Sequence, residues 1–206
     1  RYTKGLLVQS ALFSWLQPDE VPFSPWCGDA STAEVVTLDK EFGLLADVHR
    51  TDSSLSGGVV VGNPDGHWTD GQVHAYLNSK DRSRRMLEGV GDSGLEVVHP
   101  ALEQAGLRPA DVDFYASHQA SVWFRQVTQE ILGLQGARSA DTFPFAASVG
   151  ACNLPLVLAT AEREGRLFRG DRVAMYSGGS GITYTGSVWR WGTSEADLRG
   201  RVPRRR

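Results

Sequence analysis

The chain has 206 residues, 41% hydrophobic and 22% charged, the balance of a folded soluble domain rather than a disordered segment. No run of about 18 apolar residues occurs, which excludes a transmembrane helix, and two cysteines are too few for a disulfide framework or a cysteine-built zinc site. The net charge of −3 hides a split: five arginines in residues 199–206 leave −8 on residues 1–198, a sign that disfavours nucleic acid as a partner. The expected setting is a reducing cytoplasm, and the basic end, residues 192–206, reads as a disordered tail.

Residues 4–16 are apolar from Leu6 and predict a buried strand. Neither a long apolar core nor a small-residue cleavage site marks this start as a signal peptide. Because a core strand begins almost at residue 1 with no approach segment, the chain is expected to open in the middle of a fold. Prolines at 18, 22 and 25 end the strand in a loop. Residues 33–38 and 42–49 read as two adjacent strands joined by a charged turn, and residues 56–62 as a further short strand. Residues 68–83 are polar and irregular. Beyond them the pattern sharpens. Residues 94–105 predict a helix with Leu95, Val98, Leu102 and Ala105 on one face, despite Pro100. Residues 112–117 predict a strand, and residues 121–134 a helix with Val122, Val127, Ile131 and Leu134 as its apolar stripe. Residues 151–165 predict another helix, followed by strands at 172–177 and 182–191. Alternation of strands and helices implies an α/β arrangement with helices on both faces of a sheet.

Three points sit where such folds place chemistry. His118 directly follows a strand, at the carboxyl edge of the sheet. Ser148 lies just before a helix. Gly179, Ser180 and Gly181 form a turn whose backbone N–H groups can meet an anion. A histidine, a polar partner and an amide-rich turn together suit a reaction in which an oxyanion forms. His49, His67, His74 and His99 lack metal-ligand spacing, so no metal site is expected. Cys27, Cys152, Trp189 and Trp191 read as packing residues, and Asp29 as the tie of a turn.

At these residues the sequence resembles the β-ketoacyl-ACP synthase III family of the thiolase superfamily. His118-Gln119-Ala120-Ser121, after the strand at 112–115, is similar to that family's Pro-His-Gln-Ala-Asn element. The stretch at 165–173, the glycine turn and the closing Val188-Trp189-Arg190-Trp191 continue the likeness. Upstream, Trp26-Cys27-Gly28-Asp29-Ala30 resembles the family's Phe-Gly-Asp-Gly-Ala, and His49-Arg50-Thr51-Asp52 its His-to-Asp-Gly strand. The resemblance implies a layered α-β-α-β-α fold of two similar halves. Residues 1–50 would end the first half, and residues 51–191 would form the second.

The nucleophilic cysteine of such an enzyme would then lie before Arg1. Counting back from Pro155, Ser148 occupies the position of the family's catalytic asparagine, and Asn153 falls five residues later, inside the helix. Ser121 stands for an asparagine that contacts the pantetheine arm. What the resemblance implies is an acyl-CoA or acyl-carrier-protein thioester as substrate, no permanently bound cofactor, a missing N-terminal half or complementary chain, and a homodimer whose dimer strand lies near residues 6–13. With Ser148 replacing a hydrogen-bond donor to an enolate, the expected reaction is acyl transfer to an O, N or S acceptor in specialised metabolism. Decarboxylating Claisen condensation and a non-catalytic partner subunit are the alternatives.

Overall fold

The structure is a computed structural model and describes residues 2–16, 23–179 and 182–192. Its centre is a four-stranded sheet in the order β3 (Gly43–Thr51), β8 (Thr183–Arg190), β7 (Arg172–Gly179) and β6 (Phe114–Ser117). β6 and β7 run parallel, while β7–β8 and β8–β3 are antiparallel. Period-2 alternation sends side chains to two cores. Tyr115, Ala174, Tyr176, Tyr184 and Val188 enter one, which is closed by Val97, Val98, Ala101 and Leu102 of helix α2 (Val90–Gln104) and by Phe124 of α3 (Phe124–Ile131). Phe114, Ala116, Val173 and Met175 enter the other, closed by Val157, Leu158 and Ala161 of α5 (Asn153–Arg163). Trp189 and Trp191 pack against this second core, and Trp191 donates its indole N–H to Glu162 at 2.8 Å. Helices therefore cover both faces, as the alternation predicts.

β8 passes so close beneath α2 that a side chain at Gly186 would meet the helix backbone: an added Cβ would lie 2.4 Å from the Val97 carbonyl oxygen. Gly186 is glycine because two backbones meet there.

Two smaller ladders flank the sheet. β1 (Lys4–Leu12) pairs antiparallel with β2 (Asp29–Thr37), and β4 (Val59–Gly62) with β5 (His74–Leu77). Asp29 accepts hydrogen bonds from the Ser14 backbone N–H and hydroxyl at 2.9 and 2.5 Å, which ties the far end of the first ladder. Helix α1 (Lys80–Glu88) begins at Ser79, whose hydroxyl accepts the Arg82 N–H, and the short α4 (Phe143–Ala146) precedes the site. No helix among the described residues is long and apolar enough to cross a membrane.

Four expectations need correction. β1 is a strand but not a buried one, since Leu6, Leu7 and Val8 are exposed and only Ala11 is buried. Among the described residues the ladder is covered only where Ala11, Phe13 and Ala30 pack with Val149 and Cys152. The strands at 33–38 and 42–49 are adjacent in sequence only: β2 joins the ladder and β3 the main sheet. Residues 68–83 contain β5 and the start of α1, which polar residues concealed. Finally, α3 is shorter than residues 121–134, and its inward face carries Phe124, Thr128 and Gln129. Val122 and Ile131 point to solvent, while Tyr115 donates its hydroxyl to Thr128 at 2.9 Å inside the core.

Candidate active site

His118 is placed by the sheet itself. Its N–H donates to the Tyr176 carbonyl at 2.8 Å, extending the β6–β7 ladder by one bond before the chain turns away. The next residue locks that turn. Gln119, 1% exposed, donates to the Ala140 carbonyl at 2.8 Å and accepts the N–H groups of Thr142 and Phe143 at 2.9 and 3.0 Å. A single buried amide thereby holds the histidine's loop against the segment that leads to the second half of the site, its oxygen taking two backbone N–H groups and its nitrogen donating once. The Phe124 ring stands edge-on to the imidazole at 5.8 Å.

The second half of the site is a tightly folded segment. Ala147 has φ +56° and ψ −156°, a region costly for any residue with a side chain, and Gly150 has φ +53°. Between them Ser148 lies in a parallel bridge with Cys27, its N–H donating to the Trp26 carbonyl at 2.8 Å and its carbonyl accepting the Gly28 N–H at 2.9 Å. Gly28 is required there, because an added Cβ would fall 2.1 Å from the Ala146 carbonyl oxygen. A short turn over Gly150–Cys152 then delivers Asn153 as the first residue of α5.

The structure adds a residue that the sequence reading set aside. Asn153 meets the histidine: its Nδ2 lies 2.9 Å from His118 Nδ1. Among the described residues the Ser148 hydroxyl makes no hydrogen bond, and the serine is held through its backbone. One helical turn after the bridge folds residue 153 back toward the strand end, which counting along the sequence does not show. One signal was present in the sequence: an asparagine in the first turn of an apolar helix has to be buried, and a buried amide needs partners.

The amide also fixes the histidine's protonation. Asn153 Oδ1 accepts the Val149 N–H at 3.4 Å, which leaves Nδ2 to donate to the ring. Nδ1 is then an acceptor, and in a neutral imidazole the proton sits on Nε2. Burial of the ring supports the neutral form by removing water from around it, pulling the His118 pKa down to about 4. The contact with Asn153 and the burial together favour a neutral imidazole at physiological pH. Because the folded pKa lies below the unfolded value, the unfolded chain takes up the proton first, so His118 contributes stability above about pH 6.5 that is lost as pH falls toward 4. A pH–rate profile of the full-length protein is expected to lack an inflection near 6.5. A histidine step there would contradict a neutral donor.

Of the other expected site residues, Ser121 is 5% exposed and its hydroxyl has no hydrogen-bond partner among the described residues. It precedes α3 rather than opening it. Gly179 ends β7 at the exposed edge, while Ser180 and Gly181 lie outside the described residues. An open depression beside the bridge is lined by Pro25, Asp29, Val122, Phe143, Phe145 and Ala147. Cys152 is buried and directs its thiol to the Ala30 carbonyl at 3.4 Å; the Cys27 thiol is half-buried and pushed up in pKa by desolvation. Neither has the activated character of a nucleophile. His49 pairs with Asp47 at 2.6 Å and His99 with the Leu132 carbonyl at 3.0 Å.

A parallel β6–β7 pair, helices on both faces and a histidine at the strand's carboxyl end belong here to a thiolase-like α/β fold. Solved structures of this class superpose well. FabH from Pseudomonas aeruginosa PAO1 matches with TM-score 0.78 at 22% identity over 93% of this chain and 59% of that one. The 3-oxoacyl-ACP synthase III of Aquifex aeolicus VF5 gives 0.76 at 22% over 92% and 58%, and OleA from Xanthomonas campestris gives 0.72 at 18% over 92% and 57%. Residues 102–191 match the family model of the 3-oxoacyl-ACP synthase III C terminal. The β-ketoacyl-ACP synthase III of Coxiella burnetii is 27% identical over 158 residues, and that of Laribacter hongkongensis 26% over 167, each covering 76% of this chain. The chain is thus similar in sequence to synthase III proteins over its second half, and it shares the fold of the solved structures. It spans about half the length of the curated relatives it matches, 48% in both of these cases.

Proposed function

We propose that the protein to which this chain belongs transfers an acyl group from an acyl-CoA or acyl-carrier-protein thioester, with the nucleophile supplied by sequence outside this chain. The observation that carries the reading is the buried, neutral His118 held by Asn153, a preorganised donor for an oxygen that becomes negative in the transition state. The thioester arm would approach along the depression bounded by Val122 and Ala147, next to the buried Ser121. Gly179, Ser180 and Gly181 would contribute backbone amides. The unit would work in the cytoplasm as a homodimer, with residues 6–13 near the dimer contact and no permanently bound cofactor.

Ser148 favours an O, N or S acceptor. Decarboxylative condensation generates an enolate that is best served by two donors, and here the Asn153 amide is already engaged by His118 and Val149 while Ser148 offers only a short hydroxyl. Decarboxylating Claisen condensation is the second reading, favoured by the Nε2–H tautomer, which suits an enolate oxygen better than it suits proton abstraction. Incubating the full-length protein with malonyl-carrier protein and an acyl thioester separates the two. Acyl transfer predicts negligible release of carbon dioxide from the native protein and a measurable gain in Ser148→Asn. Brisk, His118-dependent decarboxylation by the native protein would establish condensation instead.

A further inference from the structure

The residues around His118 divide into those that fix its backbone and one that fixes its proton. The Tyr176 carbonyl and the Gln119 amide set where the ring sits. Neither touches a ring nitrogen. Asn153 alone among the described side chains does so, and it is itself secured: 1% exposed, at the first position of α5, with its oxygen on the Val149 N–H. Val149 is in turn fully buried. The ring has two neutral tautomers, and a donor aimed at Nδ1 selects one of them.

We propose that Asn153 is a positioning residue that holds His118 in its Nε2–H form, so that this side chain, and not the residue at position 148, decides whether the histidine donates or accepts a proton. The role follows from orientation. An amide can present either its oxygen or its nitrogen to the ring. The Val149 N–H requires the oxygen on its own side and so turns Nδ2 toward Nδ1. Exchanging the amide for a carboxylate of the same shape removes the donor and leaves two acceptors. An aspartate at this position would demand a proton on Nδ1 and strip it from Nε2. The pair therefore behaves as a selector whose setting is written in one atom. The effect on rate rests on the thioester-transfer reading, whereas the tautomer does not.

The test uses full-length protein labelled with nitrogen-15 histidine, together with Asn153→Ser and Asn153→Asp. Nitrogen shifts of His118, assigned by their loss in His118→Ala, are expected to show Nε2–H in the native protein, a mixture in Asn153→Ser and Nδ1–H in Asn153→Asp. Turnover with an acyl thioester is expected to fall about 3- to 10-fold in Asn153→Ser, the worth of one side-chain hydrogen bond, and further in Asn153→Asp, with KM little changed. A native protein in the Nδ1–H form overturns the proposal whatever the variants do. So does an unaltered tautomer in a folded Asn153→Asp. Correct tautomers with no acyl-transfer activity in the native protein would leave the selector standing and remove the functional reading instead.

Discussion

Replacing His118 by alanine in the full-length protein is expected to lower kcat by ~10²–10³, about 3–4 kcal/mol of transition-state stabilisation, the usual cost of losing one oxyanion donor. The loss should fall on kcat more than on KM, because a neutral imidazole gains most from an oxygen that has become negative. The scaffold survives the change: the loop is held by the His118 backbone N–H on Tyr176 and by the Gln119 amide, neither of which needs the imidazole. Steady-state rates with an acyl-CoA, alongside a circular dichroism spectrum matching the native protein, provide the measurement. Unchanged turnover by a folded His118→Ala protein would remove the catalytic reading and favour a non-catalytic supporting role for this half.

The second large effect concerns folding. Gly186→Ala is expected to destabilise by about 3 kcal/mol or more, the upper end of what overpacking costs. The added Cβ would lie 2.4, 2.5 and 2.7 Å from the oxygen and carbon of Val97 and the nitrogen of Val98. All three are backbone atoms in the middle of α2, so no rotamer change relieves the clash. The helix would have to lift off β8 and open the core that Val97, Val98 and Tyr184 fill. Gly94→Ala, in the same helix, is the matched control. There the nearest atoms are side-chain carbons of Leu132 and Tyr176 at 3.5 Å, an ordinary contact, and alanine in a helix interior gains up to about 1 kcal/mol over glycine. Urea titrations of the two variants should move in opposite directions. Equal midpoints would mean that α2 and β8 are not in the close register described.

Much of this molecule was legible in its sequence where local pattern and tertiary burial agree. β6, β7, β8, α2 and α5 carry the apolar periodicity that their two-sided packing demands, and His118 stands at the strand end where an α/β sheet presents its chemistry. The failures have a common physical cause. β1 has the composition of a core strand because Leu6, Leu7 and Val8 are apolar, yet composition does not say which layer covers them. β5 is only four residues long and α1 is largely polar, and they owe their form to pairing with β4 and to the Ser79 cap. The α3 stripe was misassigned because Thr128 and Gln129 are satisfied inside the core by Tyr115, Leu134 and Ala137, so polar residues point inward. Asn153 escaped the sequence reading because the turn between the bridge and α5 brings a residue five places beyond Ser148 to the ring.

That turn is not anchored by the main sheet alone. Phe13, at the end of β1, lies against Gly150, where a Cβ would come within 2.7 Å of its ring, and Ala11, Phe13 and Ala30 pack with Val149 and Cys152. The ladder of β1 and β2 thus meets the segment that carries Asn153 through one aromatic ring, so the packing of Phe13 on Gly150 and the hydrogen bond on His118 belong to one continuous stretch of contacts.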